Sequence, residues 1–106
     1  MGAKDEDVTV VSVLSLAVRP GSEDDLVRAF AEQDVFGHSR RSGGFVSGRL
    51  LRPVAPGEPF LVVAEWDAAD SYQGWLDNPI REDLSAALEP LLAGEVVPGR
   101  LYEDAL

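Results

Sequence analysis

The stretch spanning residues 59–92 restricts the possible folds of this chain more than any other. It opens with Phe60-Leu61-Val62-Val63-Ala64, apolar at every position. A strand wet on one side alternates apolar and polar residues, so a run greasy on both faces belongs in the middle of a sheet. The run ends in Glu65-Trp66. Asp67 then stands where an N-cap is needed, before a helix with Ala68, Ala69, Tyr72, Trp75 and Leu76 at helical spacing. Asn78-Pro79 closes that helix and starts another, with proline at the first helical position. Leu84, Ala87, Leu88, Leu91 and Leu92 follow the helical template, Ile80 extends the stripe backwards, and Gly94 is the expected stop. Both tryptophans and one of the two tyrosines lie here. Any ligand cavity should have a wall in this stretch.

The rest of the chain supplies partners for it. Residues 1–7 are small and charged and are expected to form a flexible N-terminus, leaving 8–106 as one domain. Residues 8–18 read as a strand rich in β-branched side chains. Val8, Val10, Leu14, Leu16 and Val18 share one face with Ser12, and Thr9, Val11, Val13, Ser15 and Ala17 share the other. Pro20-Gly21 turns the chain, and Ser22 is the expected N-cap of a helix that Leu26, Ala29 and Phe30 make amphipathic as far as Gln33 or Phe36. Residues 37–44, GHSRRSGG, read as a loop. Residues 45–52 and 59–66 form two strands joined by a proline-glycine turn, a hairpin in which Phe45, Ser47, Arg49 and Leu51 share a face. Residues 95–103 read as a final strand, and Pro98 confines it to a sheet edge or a bulge.

The order is strand, helix, strand, strand, broken helix, strand. That is the α+β, ferredoxin-like split βαβ layout: a four-stranded antiparallel sheet with helices on one face. A partly apolar bare face needs a cover, and a second copy on a two-fold axis is the simplest one, giving a dimeric α/β barrel. A chain of 106 residues without cysteine has no disulfide to stabilise it, and it buries only roughly 60–65% of its unfolded surface, so dimerisation also adds burial. The net charge of −10 argues against nucleic acid and against anionic membranes as partners. The acidic start lacks the pattern of a secretory leader and no apolar run is long enough to span a bilayer, so a cytoplasmic location is expected. One histidine without a second ligand-type residue at metal spacing gives no metal site, and Gly43-Gly44 lacks the strand–loop–helix context of a phosphate loop.

Several features together carry a resemblance. They are the long first strand ending in Pro20-Gly21, Gly44-Phe45 opening the second strand, and Glu65-Trp66 ending the third. Trp75-Leu76, Asn78-Pro79 and Arg100-Leu101-Tyr102 complete the set. In this order they resemble the antibiotic-biosynthesis-monooxygenase (ABM) domain family of the dimeric α/β-barrel superfamily, over about residues 8–102. The superfamily includes haem-degrading enzymes, cofactor-free quinone-forming oxygenases and polyketide cyclases. The haem-degrading branch is similar at Trp75, but its first-strand asparagine and its histidine ligand fall on Leu14 and Ser85, and neither serves. The quinone-forming branch is similar at Trp66 and Tyr72, but its third-strand asparagine and later arginine fall near Val62 and Ser85. The resemblance therefore implies a cofactor-independent monooxygenase, a homodimer, acting with dioxygen on a small polycyclic aromatic or phenolic metabolite. A polyketide cyclase and a non-catalytic ligand-binding barrel of the same fold are the alternatives.

Such chemistry needs a dry pocket, aromatic walls and one or two polar groups to hold an anion or take a proton. His38 belongs to the residue type that titrates near neutrality, so it is either the base or a loop histidine in solvent. Tyr72 is the second catalytic candidate. Arg40 and Arg41 either hold a phenolate or solvate the loop. Trp66 and Trp75, like Tyr72, either line the pocket or pack the core. Arg81 opposes the helix dipole in its first turn and pairs either with Asp77 on the surface or with a ligand anion. Ser12 either hydrogen-bonds substrate or lightens the packing of the sheet.

Overall fold

The computed structural model describes residues 8–94 and 96–106; the expectation for residues 1–7 lies outside them. The strands are β1 (Val10–Leu16), β2 (Phe45–Leu51), β3 (Phe60–Trp66) and β4 (Arg100–Tyr102). The helices are α1 (Glu23–Glu32), α2 (Val35–Ser42), α3 (Ala69–Leu76) and α4 (Ile80–Leu88), the last continued by a 3₁₀ turn at Glu89–Leu91. All pairings are antiparallel, in the order β2-β3-β1-β4. The greasy run is accordingly the interior strand β3, and the fold is the ferredoxin-like α+β arrangement.

Register decides which side chains meet the helices, because directly opposite residues share a face. Val10, Ser12, Leu14 and Leu16 stand opposite Trp66, Ala64, Val62 and Phe60. Phe60 and Trp66 are each 1% exposed, and Leu26 of α1 is fully buried over them in the same core. Val11, Val13 and Ser15 form the other face with Glu65, Val63 and Leu61. The valines and Leu61 there are half-buried in the single chain.

Four local expectations are corrected. The segment expected to be a loop is the helix α2, in which buried Val35 and Ser39 sit one turn apart and anchor it to the core. Asp34 precedes it at φ 51, and its carboxylate lies over Gly37 where any Cβ would collide with it. A bulge between Phe45 and Ser47 sets Phe45 opposite Trp66, so Phe45 joins Gly48 and Leu50 on the helix-covered face instead of Ser47 and Arg49. Gly48 has no side chain because a Cβ would come within 2.6 Å of the Phe36 ring. The last helix ends before Gly94: Pro90 has no N–H to continue it, and the chain tightens into the 3₁₀ turn. Beyond it, β4 covers only Arg100–Tyr102, paired with Val11–Val13 at the sheet edge that Pro98 allows; Glu95 lies outside the described residues.

Caps differ in detail too. Ser22 occupies the N-cap of α1 without a side-chain bond, and Ala68, not Asp67, is the N-cap of α3. Asp67 instead accepts from Ser71 Oγ. Asn78 caps as expected, its Oδ1 accepting from the Ile80 N–H at 3.1 Å. Among the described residues no helix is long and apolar enough to cross a membrane.

Candidate functional site

A cavity of about 660 Å³ opens between the helix-covered face of the sheet and the helices. β1 and β3 supply its floor through Ser12, Leu14, Val62, Ala64 and Trp66. Phe30 and Phe36 close one side, and Tyr72 and Trp75, three residues apart on α3, close another. The rings touch in series. Phe36 stacks on Phe45 at 6.0 Å, Phe45 meets Trp66 edge-on at 5.3 Å, and Trp66 lies 5.7 Å from Tyr72 and 6.4 Å from Trp75. Such a wall is apolar, polarisable and rigid.

Ser12 holds this wall in place. Its Oγ accepts from the Trp66 indole N–H at 3.1 Å and donates to the Ala64 carbonyl at 3.4 Å. A hydroxyl has one proton and two lone pairs, so a single acceptor position remains for a ligand. Ser39 also reaches the cavity while donating to the Val35 carbonyl at 3.0 Å.

Tyr72 is 9% exposed, and among the described residues its hydroxyl has no hydrogen-bond partner. Burial pushes its phenol pKa above 10.0, and the positive charge of Arg81 opposes that rise. At neutral pH it is a protonated hydrogen-bond donor. Arg81 stands with its guanidinium 5.7 Å from the Trp75 ring centroid. It pairs with neither Asp77 nor Glu82; Asp77 accepts from Gln73 at 3.2 Å.

Five of the eight residues singled out in the sequence thus converge: Ser12, Trp66, Tyr72, Trp75 and Arg81. The structure does not bring His38, Arg40 or Arg41 to them. Helix α2 turns Val35, Phe36 and Ser39 inward and these three away. Arg41 reaches Asp34 at 3.3 Å and His38 Nδ1 at 3.1 Å, and Arg40 covers the Phe45 ring from outside at 5.3 Å. Arg19, Ser39, Ser85 and Glu89 line the cavity and were not candidates. Ser85 and Glu89 were within reach of the helical period, one and two turns beyond Arg81 beside the leucine stripe. Arg19 had no such signal. It faces the cavity because its backbone N–H and its Nε bond the carbonyls of Leu91 and Leu92, both at 2.9 Å.

These features define the class: a ferredoxin-like α+β domain with an aromatic cavity between sheet and helices. The model of the antibiotic biosynthesis monooxygenase family matches residues 9–87, and the chain belongs to that family. A heme oxygenase (mycobilin-producing) of Mycobacterium tuberculosis is 32% identical over 71 residues, 66% of this chain and 65% of that protein, so the match spans just under two thirds of each. Among solved structures, the heme-degrader MhuD of Mycobacterium tuberculosis, with two hemes in its active site, aligns with a TM-score of 0.71 and 27% identity. That alignment covers 92% of this chain and 96% of the other. SnoaB, a cofactor-independent oxygenase of Streptomyces nogalater, aligns with a TM-score of 0.75 and 24% identity, over 93% and 95%.

Proposed function

We propose that this chain is a cofactor-independent monooxygenase, cytoplasmic and homodimeric, that oxidises a polycyclic aromatic or phenolic metabolite with dioxygen. The observation that carries the reading is the hydroxyl of the largely buried Tyr72, left without a partner among the described residues and open to a cavity walled by Trp66, Trp75, Phe30 and Phe36. An electron-rich ring system stacks on these walls. Loss of a proton to solvent at the cavity mouth from an anthrone-type carbon or a phenol makes an anion, and a proton returns later to the peroxide oxygen. The neutral Tyr72 hydroxyl donates a hydrogen bond to the oxygen on which that charge develops. The anion passes an electron to dioxygen, the two radicals join as a peroxide, and loss of water leaves a new carbonyl. Two hydrogens leave the substrate, both from the anthrone carbon or one each from the phenol hydroxyl and the ring carbon that is oxygenated, and one oxygen atom arrives, the second oxygen departing as water. The cavity contributes by excluding solvent and aligning the ring.

The heme-degrading relatives raise a second reading, which the donor set disfavours. Haem iron takes an axial ligand from histidine, cysteinate, methionine or tyrosinate. Among the described residues the cavity is lined by no histidine, cysteine or methionine, and burial holds Tyr72 in its protonated form. His38 is on the outer side of α2 with Arg41. Leu14 and Ser85, where the haem-degrading branch has its asparagine and histidine, do face the cavity but offer no iron ligand. These residues do not fit a haem.

Homodimerisation is supported by the helix-free sheet face, where Val11, Val13, Leu61 and Val63 are only half-buried in the lone chain. The test is oxygen consumption by the purified protein with an anthrone. Uptake that persists under metal chelation and falls with Tyr72→Phe is expected. Ring closure without oxygen uptake would instead make the protein a cyclase, and binding without turnover a ligand-binding barrel.

A further inference from the structure

Among the described residues Arg81 is a cation without an acid. The ion pairs among the described residues use Arg28, Arg41 and Arg52. Asp77 is engaged by Gln73. Arg81 also stands in the first turn of α4, near the positive end of the helix dipole, where a cation is disfavoured. No ion pair among the described residues therefore accounts for its position, and the contact it does make is with the Trp75 ring. Its guanidinium is beside Trp75, on the cavity wall, and its charge is felt at the buried Tyr72 phenol.

Arg81, Ser85 and Glu89 follow one another at four-residue steps along α4 and the 3₁₀ turn. The same three residues line both the cavity and a second groove of about 480 Å³ at the junction of α3 and α4. They form the rim where cavity and groove meet. The row is polarised, with a cation at one end, a hydroxyl in the middle and a carboxylate at the other. Its ends are about 12 Å apart along the helix, the reach of a few fused rings.

We propose that this row selects the substrate: an aromatic acid whose carboxylate, or equivalent anionic oxygen group, is held by Arg81 at the rim while its rings lie inward against Trp75 and Trp66. The inference rests on the reading of the cavity as an aromatic site. A guanidinium matches a carboxylate in a planar two-bond fork. At the rim the anion keeps part of its hydration and avoids the penalty of full burial. Glu89 repels an anion from the opposite end, so the charge pattern also fixes which way round the rings enter. The Tyr72 hydroxyl remains for an oxygen on the ring itself.

Calorimetric titration of the full chain with anthraquinone-2-carboxylate and with neutral 2-(hydroxymethyl)anthraquinone tests this. Both probes are already oxidised, so no turnover enters the signal. The carboxylate is expected to bind tighter by about tenfold or more, the worth of one charge-assisted hydrogen bond. Arg81→Gln should erase the difference by weakening the carboxylate alone, and Arg81→Lys should restore part of it. Unchanged binding of the alcohol by Arg81→Gln shows that the variant is folded. Equal affinity for the two probes, a preference that survives Arg81→Gln, or binding of neither probe would overturn the inference. Oxygen uptake with a neutral anthrone separates the two readings. No uptake with the carboxylate preference intact removes the oxygenase and leaves the recognition. Uptake with a preference indifferent to Arg81 does the reverse.

Discussion

Replacing Ser12 with alanine tests whether the hydroxyl is a fastening for Trp66. The change removes the acceptor of the indole N–H at 3.1 Å and a weaker 3.4 Å donor to the Ala64 carbonyl. Trp66 is among the most buried side chains of the protein, so its N–H loses its protein partner. An unsatisfied buried donor costs about 1–3 kcal/mol. The floor of the cavity adjoins space that water enters, and a water at the vacated position recovers part of that loss. The expected destabilisation is therefore in the lower half, about 1–2 kcal/mol. Urea unfolding of Ser12→Ala, Trp66→Phe and the double variant measures it as a cycle. With phenylalanine at position 66 there is no donor to orphan, so Ser12→Ala should then change stability little. A coupling of about 1 kcal/mol between the two sites is expected. If Ser12→Ala costs the same in both backgrounds, to within about 0.5 kcal/mol, the hydrogen bond is not what the hydroxyl contributes, and the argument fails.

Other outcomes follow from the same geometry. Gly48→Ala places a methyl 2.6 Å from the Phe36 ring and 2.8 Å from the Phe45 ring, and should destabilise by about 1–3 kcal/mol in thermal or urea unfolding. His38→Ala should leave oxygen uptake unchanged, because the imidazole is bonded to Arg41 outside the cavity; a large loss would return His38 to the mechanism. The Tyr72 phenol, raised above its unfolded value of 10.0, binds its proton more tightly when folded. Its contribution to stability is thus complete below pH 10.0 and is lost as pH rises through the folded value. Phenolate absorbance followed during alkaline titration should show one late-titrating tyrosine that disappears in Tyr72→Phe.

What the sequence revealed and what it concealed have physical causes. The leucine stripe of α4 and the two-faced apolar run of β3 are each dominated by burial, which writes a period directly into the residues. Trp66, Tyr72 and Trp75 were therefore legible as one wall. Residues 37–44 read as a loop because glycine at 37 and 43–44 imitates one, yet 37–42 are helical. Two buried contacts, Val35 and Ser39, suffice to hold a two-turn helix there against its weak propensity. That helix also explains the site residues on α2. The polar side chains that looked chemical, His38, Arg40 and Arg41, point outward, and the plain Ser39 points in. Strict alternation places Phe45 on the wrong face because the bulge at Val46 shifts it by one residue, and no local residue pattern announces the bulge. The polar rim at Ser85 and Glu89 was obscured for a different reason: each is unremarkable until a neighbouring surface makes it the edge of an opening.

The near-parallel Trp66 and Trp75 rings, 6.4 Å apart and inclined by 27°, have an optical consequence. Two indoles so close share their electronic excitation, which gives paired bands of opposite sign in near-ultraviolet circular dichroism and rapid loss of emission polarisation. No other tryptophan dilutes that signal. A ring sliding between them, or a wall that shifts to admit one, alters the coupling at once. The protein thus comes with an internal gauge of whether its cavity is filled, readable without a label.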